Sequence, residues 1–249
     1  MRAKWTDLAV EACKSASKSD TERLACGIER LTVRIDSEHD AQAMGRPCGV
    51  YVTLTCPQTM SIALKTRQAL AHELAVTLRS MLPKARQSIL VVGLGNRNVT
   101  PDSLGPRTAE RILVTRHMAG CLPEDMAQSM ASVSAAAPGV LGVTGMETVE
   151  ILKGMVTHVQ PDAVIAIDAL AARSSSRIAS TIQIADTGIT PGSGVGNHRK
   201  ALNEQTLGVP VIAVGVPLVV YASTIASDAL YALGGGEMEE ERIAACVEQ

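Results

Sequence analysis

Residues 88 to 108, SILVVGLGNRNVTPDSLGPRT, contain the pattern that decides the fold. The apolar run from Ser88 to Leu94 is typical of a strand buried on both faces, and the stretch from Leu104 to Met118 has the pattern of a helix. The glycines between them let the backbone of the turn pass close to another part of the protein or to a ligand. The stretch therefore predicts a strand, a glycine turn and a helix, which together form one βα unit.

The same alternation continues on both sides of this unit. Two further strands are predicted between residues 30 and 56, a helix at 61–82, and then a strand at 132–137, a helix at 145–159 and strands at 163–167, 178–185 and 209–214. We expect an α/β protein with three αβα layers around a mostly parallel or mixed sheet, of the phosphorylase and hydrolase kind. One domain over residues 1–249 is expected, ending in an acidic segment at 237–249.

The charge and aromatic content argue against nucleic acid as a direct partner. Lys and Arg number 23 against 25 Asp and Glu, and aromatic residues make up 2% of the chain, with no Phe. The chain therefore has neither a broad basic field nor platforms for base stacking. The longest uncharged run, at 206–227, is broken by Gly and Pro, so no membrane partner is expected either. We expect a soluble, cytoplasmic protein.

The residues that usually hold cofactors and metals lack the necessary spacing. The six cysteines form no CxxC pair, and the five histidines are scattered without ligand spacing. A dinucleotide fingerprint would need a third glycine where Asn98 stands. The sequence therefore predicts no cofactor and no dedicated metal site.

Two aspartates are the main catalytic candidates. Asp102 precedes the predicted helix of the βα unit, where an N-cap is an equally good explanation and Ser103 is an alternative cap. Asp168 follows the apolar strand AVIAI, where burial of a carboxylate is expensive and favours a functional role. If the two strands are neighbours in the sheet, both acids face one crevice, and one would hold a proton while the other activates water. Such a pair can hydrolyse a peptide bond, and backbone N–H groups of the glycine turn are candidates for stabilising the oxyanion.

The remaining candidates lie in loops around these acids. Glu147, at the start of the predicted helix 145–159, is a reserve candidate, although acids are common there for stability alone. The other candidates for contact with substrate are main-chain and amide positions of the glycine turn and of the glycine-rich loop at 185–199, which we expect to be a mobile active-site loop. They are Gly93, Gly95, Asn96, Gly192, Gly194, Gly196 and Asn197.

Four long motifs in the same order resemble the germination protease family of spore-forming bacteria. They are VVGLGNRNVTPDSLGPRT, SAAAPGVLGVTGMETVEILKG, DAVIAIDALAARS and DTGITPGSGVGNHR. The resemblance implies that Asp102 and Asp168 are the two catalytic aspartates. That family is grouped with the hydrogenase maturation peptidases, in which acids at corresponding positions are metal ligands. A metal-dependent peptidase is therefore the alternative mechanism, and Thr190, where the resemblance implies a histidine, argues against a ligand in the glycine-rich loop.

The resemblance also implies a biological role. It predicts an endopeptidase that begins the degradation of small acid-soluble spore proteins at germination, located in the cytoplasm of the spore core and assembled as a homotetramer. It further implies synthesis as a zymogen with a propeptide around residues 1–7. The segment TDLAVE, at 6–11, is similar to the family's processing site, so Asp7 and Leu8 are expected to flank a self-cleaved bond. A plain helix start at Thr6 and an inactive relative that only binds the spore proteins are the alternatives.

Overall fold

The computed structural model describes residues 6–12, 18–56, 63–84, 88–118, 120–121, 123, 130–192, 199–233 and 243. Eight strands within these ranges form one sheet. They are β1 (Lys18–Arg23), β2 (Glu29–Ile35), β3 (Gly49–Thr55), β4 (Ser88–Gly93), β5 (Ser132–Ala136), β6 (Ala163–Ala172), β7 (Thr181–Ala185) and β8 (Val211–Val220). The helices described are α1 (Ala9–Ala12), α2 (Glu38–Met44), α3 (Leu64–Met81), α4 (Leu104–Ala109), α5 (Leu141–Thr144), α6 (Thr148–Val159), α7 (Glu204–Leu207) and α8 (Ala222–Ala232).

The sheet is mixed, in the order β1-β2-β3-β7-β8-β6-β4-β5. Strands β8, β6, β4 and β5 run parallel, as the βα alternation predicts. Strands β1, β2, β3 and β7 pair antiparallel, and β7 joins the two halves by an antiparallel pairing with β8. The predicted α/β class with a mixed sheet is therefore confirmed, and β4 and β6 are neighbours.

Helices cover both faces of the sheet and complete three layers. On one face, Leu70, Leu74 and Leu78 of α3 pack against a core of Val52, Leu54, Ile89, Val91, Ile184, Ile212 and Val214. On the other face, Val149 and Leu152 of α6 and Leu207 of α7 pack against Leu90, Val92, Val164, Ala166 and Val211. Each fully buried aliphatic side chain of this kind contributes about 1.5–3 kcal/mol through the hydrophobic effect. Because both faces are buried, the central strands are continuously apolar in sequence.

Several predicted boundaries were wrong for reasons that the structure makes clear. The helix that begins at Leu104 ends at Ala109 rather than at Met118. Beyond it the chain turns to the edge of β5, where the N–H of Thr115 donates to the carbonyl of Val133 over 2.9 Å. Helix α6 begins at Thr148 rather than at 144 or 145, because Gly145 adopts a left-handed conformation that ends α5.

Two strands were also misjudged. The polar edge strand β1 has the sequence KSDTER, which carries no apolar signal, and it was not predicted. Strand β6 continues to Ala172, so Asp168 is its sixth residue of ten rather than the residue after its end. Among the residues that the structure describes, no helix combines the length and the apolar character needed to cross a membrane.

Candidate active site

The glycine turn after β4 brings helix α4 into direct contact with the end of β4 and the middle of β6. A Cβ atom added at Gly93 would lie 2.1 Å from the carbonyl oxygen of Gly105. One added at Gly105 would lie 2.2 Å from the carbonyl oxygen of Leu94 and 2.4 Å from that of Ile167. Since real Cβ atoms do not approach so closely, glycine is required at both positions. The helix therefore starts directly against β4 and β6.

Asp102 is held by this turn rather than by the helix that follows it. It is the last residue of a 3-10 turn, Thr100–Asp102, and is half-buried. Its Oδ2 atom accepts a hydrogen bond of 2.6 Å from the N–H of Asn96. A Cβ at Gly95 would lie 2.1 Å from the carbonyl oxygen of Asp102, so the turn fits closely around this residue. The residue before α4 is Ser103, so the helix-cap explanation of Asp102 was wrong.

Asp168 lies on the neighbouring strand β6, one residue beyond the Ile167–Gly93 pair that ends the contact with β4. Its side chain is buried, with 5% of the residue exposed, and its Oδ1 accepts a 2.8 Å hydrogen bond from the N–H of Ala169. The pKa of Asp168 is raised to about 8, mainly by burial and in smaller part by the negative charges of Asp102 and Asp7. The Ala169 N–H and the charge of Arg199 act in the opposite direction. Asp168 is therefore mainly protonated at neutral pH, so it can donate a proton.

The predicted processing segment lies across the same end of the sheet. The N–H of Asp7 donates to the carbonyl of Ala171 over 2.9 Å, and the N–H of Ala171 donates to Oδ2 of Asp7 over 2.8 Å. Leu8 is fully buried against Leu170 and Ala172. A third carboxylate, that of Asp7, is thus brought close enough to Asp168 for its charge to act on the pKa of that acid. The family resemblance implied that Asp7 and Leu8 flank a self-cleaved bond, but nothing in the local pattern of TDLAVE predicted where they lie in the fold.

The segment is also anchored at its far end. Oε2 and Oε1 of Glu11 accept hydrogen bonds from the N–H groups of Arg173 and Ser174, at 2.6 and 3.0 Å. The Arg177 Nε atom lies 3.5 Å from Oε1 of the same carboxylate. Two main-chain N–H groups and one guanidinium therefore bind the Glu11 carboxylate, and hydrogen bonds to a charged group are stronger than those between neutral groups.

Two side chains that the sequence analysis missed bind the main chain of this segment. Arg46 donates to the carbonyl oxygen of Thr6. Gln183 of β7 donates from Nε2 to the carbonyl oxygen of Asp7 over 2.8 Å, and its Oε1 accepts from the N–H of Ala9 over 2.6 Å. Burial lowers the pKa of Arg46, and the charge of Asp7 opposes that effect.

A cavity of about 210 Å³ opens beside these contacts and is lined by Arg46, Gln183, Gly215, Thr187 and Thr190, as well as by Asp7 itself. Its floor is the face of the sheet that carries Gln183 and Gly215, because residues paired across neighbouring strands share a face. The predicted processing segment therefore forms one wall of this cavity. Asp102 and Asp168 are not among the described residues that line it, although Gly215 of the lining pairs with Asp168.

The other predicted site residues lie in different surroundings. Glu147 is the residue before α6, and its N–H donates to Oε2 of Glu150 over 3.1 Å, as expected for an acid that stabilises a helix start. No contact among the described residues joins it to Asp102 or Asp168. Gly192 lies in a turn with a φ of 73°. Gly194, Gly196 and Asn197, also predicted to contact substrate, lie outside the described residues.

The N–H groups of the glycine turn are largely used within the protein. The N–H of Leu94 donates to Ile167, that of Asn96 to Asp102, and that of Asn98 to Oδ1 of Asn96. These three groups are therefore not available to an oxyanion.

A metal site is not formed by the part of the chain that the structure describes. No three His, Cys, Asp or Glu side chains within it come together as metal ligands.

The sequence contains only a weak indication of a role for Gln183 and none for Arg46 or Arg199. Gln183 interrupts the apolar strand TIQIA with a buried amide, which indicates a hydrogen-bonding requirement but not its partner. Arg46 and Arg199 lie in loop sequences with no recognisable pattern.

Comparisons with known proteins agree on one family. The family model described as germination protease, of peptidase family A25, matches residues 10–244. The chain is 47% identical over 232 residues to the germination protease of Caldanaerobacter subterraneus, covering 90% of this chain and 72% of that one. It is 47% identical over 238 residues to that of Clostridium perfringens, covering 90% and 73%, and 46% identical over 256 residues to that of Bacillus subtilis, covering 95% and 69%. A solved [NiFe] hydrogenase maturation protease, HycI of Thermococcus kodakarensis, is 18% identical with a TM-score of 0.33, covering 57% of this chain and 80% of that one.

Proposed function

We propose, from the premise that this chain belongs to the germination protease family and is a peptidase, that it is the endopeptidase that begins the degradation of small acid-soluble spore proteins. Asp102 and Asp168 are its catalytic pair. The observation that supports this assignment most directly is the burial of Asp168 beside Asp102, which raises the pKa of Asp168 to about 8. Two carboxyl groups whose environments differ in this way are suited to opposite roles as acid and base.

The roles of general base and general acid follow from the surroundings of the two aspartates. Asp102 is half-buried and held by the Asn96 N–H, so it is the carboxylate that removes a proton from the attacking water. Asp168 is buried and protonated at neutral pH, so it delivers a proton to the leaving nitrogen. Afterwards, proton exchange with solvent restores the pair.

The N-terminal segment supports the zymogen part of the proposal. Asp7 and Leu8, which flank the bond expected to be self-cleaved, are bound beside Asp168 through Ala171 and Leu170. An intramolecular cleavage requires that the scissile bond reach the catalytic pair, and these contacts hold the segment on the strand that carries Asp168. Assembly as a homotetramer and location in the spore core remain parts of this proposal that rest on the family resemblance.

The test is cleavage of a purified small acid-soluble spore protein, with fragments followed by mass spectrometry. Asp102→Asn and Asp168→Asn should each lower turnover by about 10²–10⁴-fold, the usual contribution of acid–base groups. Asp20→Asn, an exposed change on the edge strand β1, is the matched control and should cleave normally. Near-normal turnover by either site variant would refute the pair. Binding of the spore protein without fragments would instead identify an inactive relative.

A further inference from the structure

The side chain of Gln183 lies in the same row of the sheet as Asp168. Gly215 of β8 pairs with Asp168 of β6 on one side and with Gln183 of β7 on the other. Directly paired residues have side chains on the same face, so the acid and the amide both rise from the face that carries the cavity. With strands roughly 4.8 Å apart, their Cα atoms are about 10 Å from each other. Gly215 between them carries no side chain, and the side chain of Leu170 fills the space above it, since a Cβ at Gly215 would lie 2.4 Å from Leu170 Cγ.

The chain's own N-terminal segment is bound over this row by both ends of the Gln183 amide. Nε2 donates to the carbonyl oxygen of Asp7 at 2.8 Å, and Oε1 accepts from the N–H of Ala9 at 2.6 Å. Because Ala9 offers a donor, the amide has only one orientation that satisfies both contacts, with its N–H₂ toward Asp7. Gln183 is 8% exposed, so the contact is shielded from water.

The atom that receives this hydrogen bond is the carbonyl oxygen of the Asp7–Leu8 bond. It belongs to the peptide bond expected to be cleaved, and Asp7 lies close enough for its charge to act on Asp168. Two N–H groups of the glycine turn, those of Leu94 and Asn96, already donate to Ile167 and Asp102. A catalytic site for peptide hydrolysis needs a donor at the oxygen where negative charge develops.

We propose that Gln183 is a third catalytic residue, which polarises the carbonyl of the bond being cleaved and stabilises the oxyanion. This inference rests on the proposed function and on the self-processed bond. Water adds to the carbonyl carbon of Asp7 while Asp102 takes one of its protons, and the C=O oxygen becomes an oxyanion bonded to Gln183 Nε2. The C–N bond then breaks, and Asp168 gives its proton to the nitrogen of Leu8. The products are a carboxyl group on Asp7 and an amine on Leu8.

The experiment measures kcat and KM for a peptide with the sequence of residues 4–12, KWTDLAVEA. It compares the full chain with Gln183→Met, Gln183→Glu and the control Gln68→Met, which changes an exposed glutamine of α3. Gln183→Met removes both contacts. Gln183→Glu keeps an acceptor for the Ala9 N–H but removes the donor to the carbonyl, so it separates positioning from polarisation. Because kcat is measured at saturation, competition from the chain's own segment affects KM only.

Loss of one oxyanion donor lowers kcat by about 10²–10³-fold, and both Gln183 variants should show this loss while Gln68→Met does not. Circular dichroism establishes that each variant is folded, and Gln183→Glu carries the test if Gln183→Met is not. A raised KM with unchanged kcat would overturn the proposal, since Gln183 would then only hold the peptide. Cleavage of a spore protein but not of the peptide would overturn it too, because the observed contact would involve a bond that is not a substrate. If the wild type cleaves neither, the proposed function itself fails.

Discussion

Asp168→Asn should abolish cleavage and should also remove a dependence of the free energy of unfolding on pH. The pKa of Asp168 is raised by burial from 3.8 to about 8, so the folded chain keeps a proton that the unfolded chain has lost between these values. Folding therefore becomes less favourable as pH rises from about 4 to about 8, by about 1.36 kcal/mol per unit. Asn has no such titration, and its Oδ1 can still accept from the Ala169 N–H.

The magnitude follows from that slope. Between pH 5 and pH 7, the free energy of unfolding of the wild type should fall by roughly 2.7 kcal/mol relative to that of Asp168→Asn. Above about pH 8 the difference should level off, because Asp168 is then ionised in both states. A variant that is as stable as the wild type at pH 5 should thus be the more stable protein at pH 7 while it loses cleavage.

The assay is urea denaturation followed by far-UV circular dichroism at pH 5, 6 and 7, with the mass of the intact chain checked first. Titration of groups that do not interact with Asp168 cancels in the difference between wild type and variant. Asp20→Asn, on the exposed edge strand, should run parallel to the wild type. Parallel curves for wild type and Asp168→Asn would refute the raised pKa, and with it the role of Asp168 as the proton donor.

Three further predictions concern the same site and its support. The rate of cleavage should decline above about pH 8 as Asp168 loses its proton. Because the charge of Arg199 lowers the pKa of Asp168, Arg199→Gln should move this decline to higher pH. A pH profile that does not move would contradict this. Gly105→Ala should destabilise the fold by about 1–3 kcal/mol or more, since its Cβ would meet two carbonyl oxygens. Gly154→Ala in α6, with open space around it, should instead stabilise the fold by about 0.5–1 kcal/mol. Denaturation curves of the two variants with equal midpoints would count against the close contact at Gly105. Dialysis against a chelator should leave spore-protein cleavage unchanged, because the proposed mechanism assigns the activation of water to the carboxylate of Asp102. Loss of activity that a divalent metal restores would favour the metal mechanism instead.

Much of the parallel half of the fold follows from sequence patterns alone. Continuous apolar runs such as SILVVG and AVIAI are local signals, and they predicted strands β4 and β6 within the parallel sheet. The glycines after β4 predicted close backbone contact, which the short distances at Gly93 and Gly105 confirm. In contrast, the length of β6 and the end of α4 depend on pairing partners elsewhere in the chain, so they were misplaced.

The sequence alone determined the fold class, the family resemblance and the identity of the two candidate acids, since each depends on residues close together in the chain. Only the tertiary structure decided what surrounds those acids. The burial that raises the pKa of Asp168 comes from three layers of packing, and Asp7 reaches Ala171 across 164 positions of the chain. Gln183 meets the carbonyl of Asp7 across 176 positions, and no local pattern encodes so distant a contact. The candidate acids can thus be found in the sequence, but their protonation and the donor beside them exist only once the strands have paired.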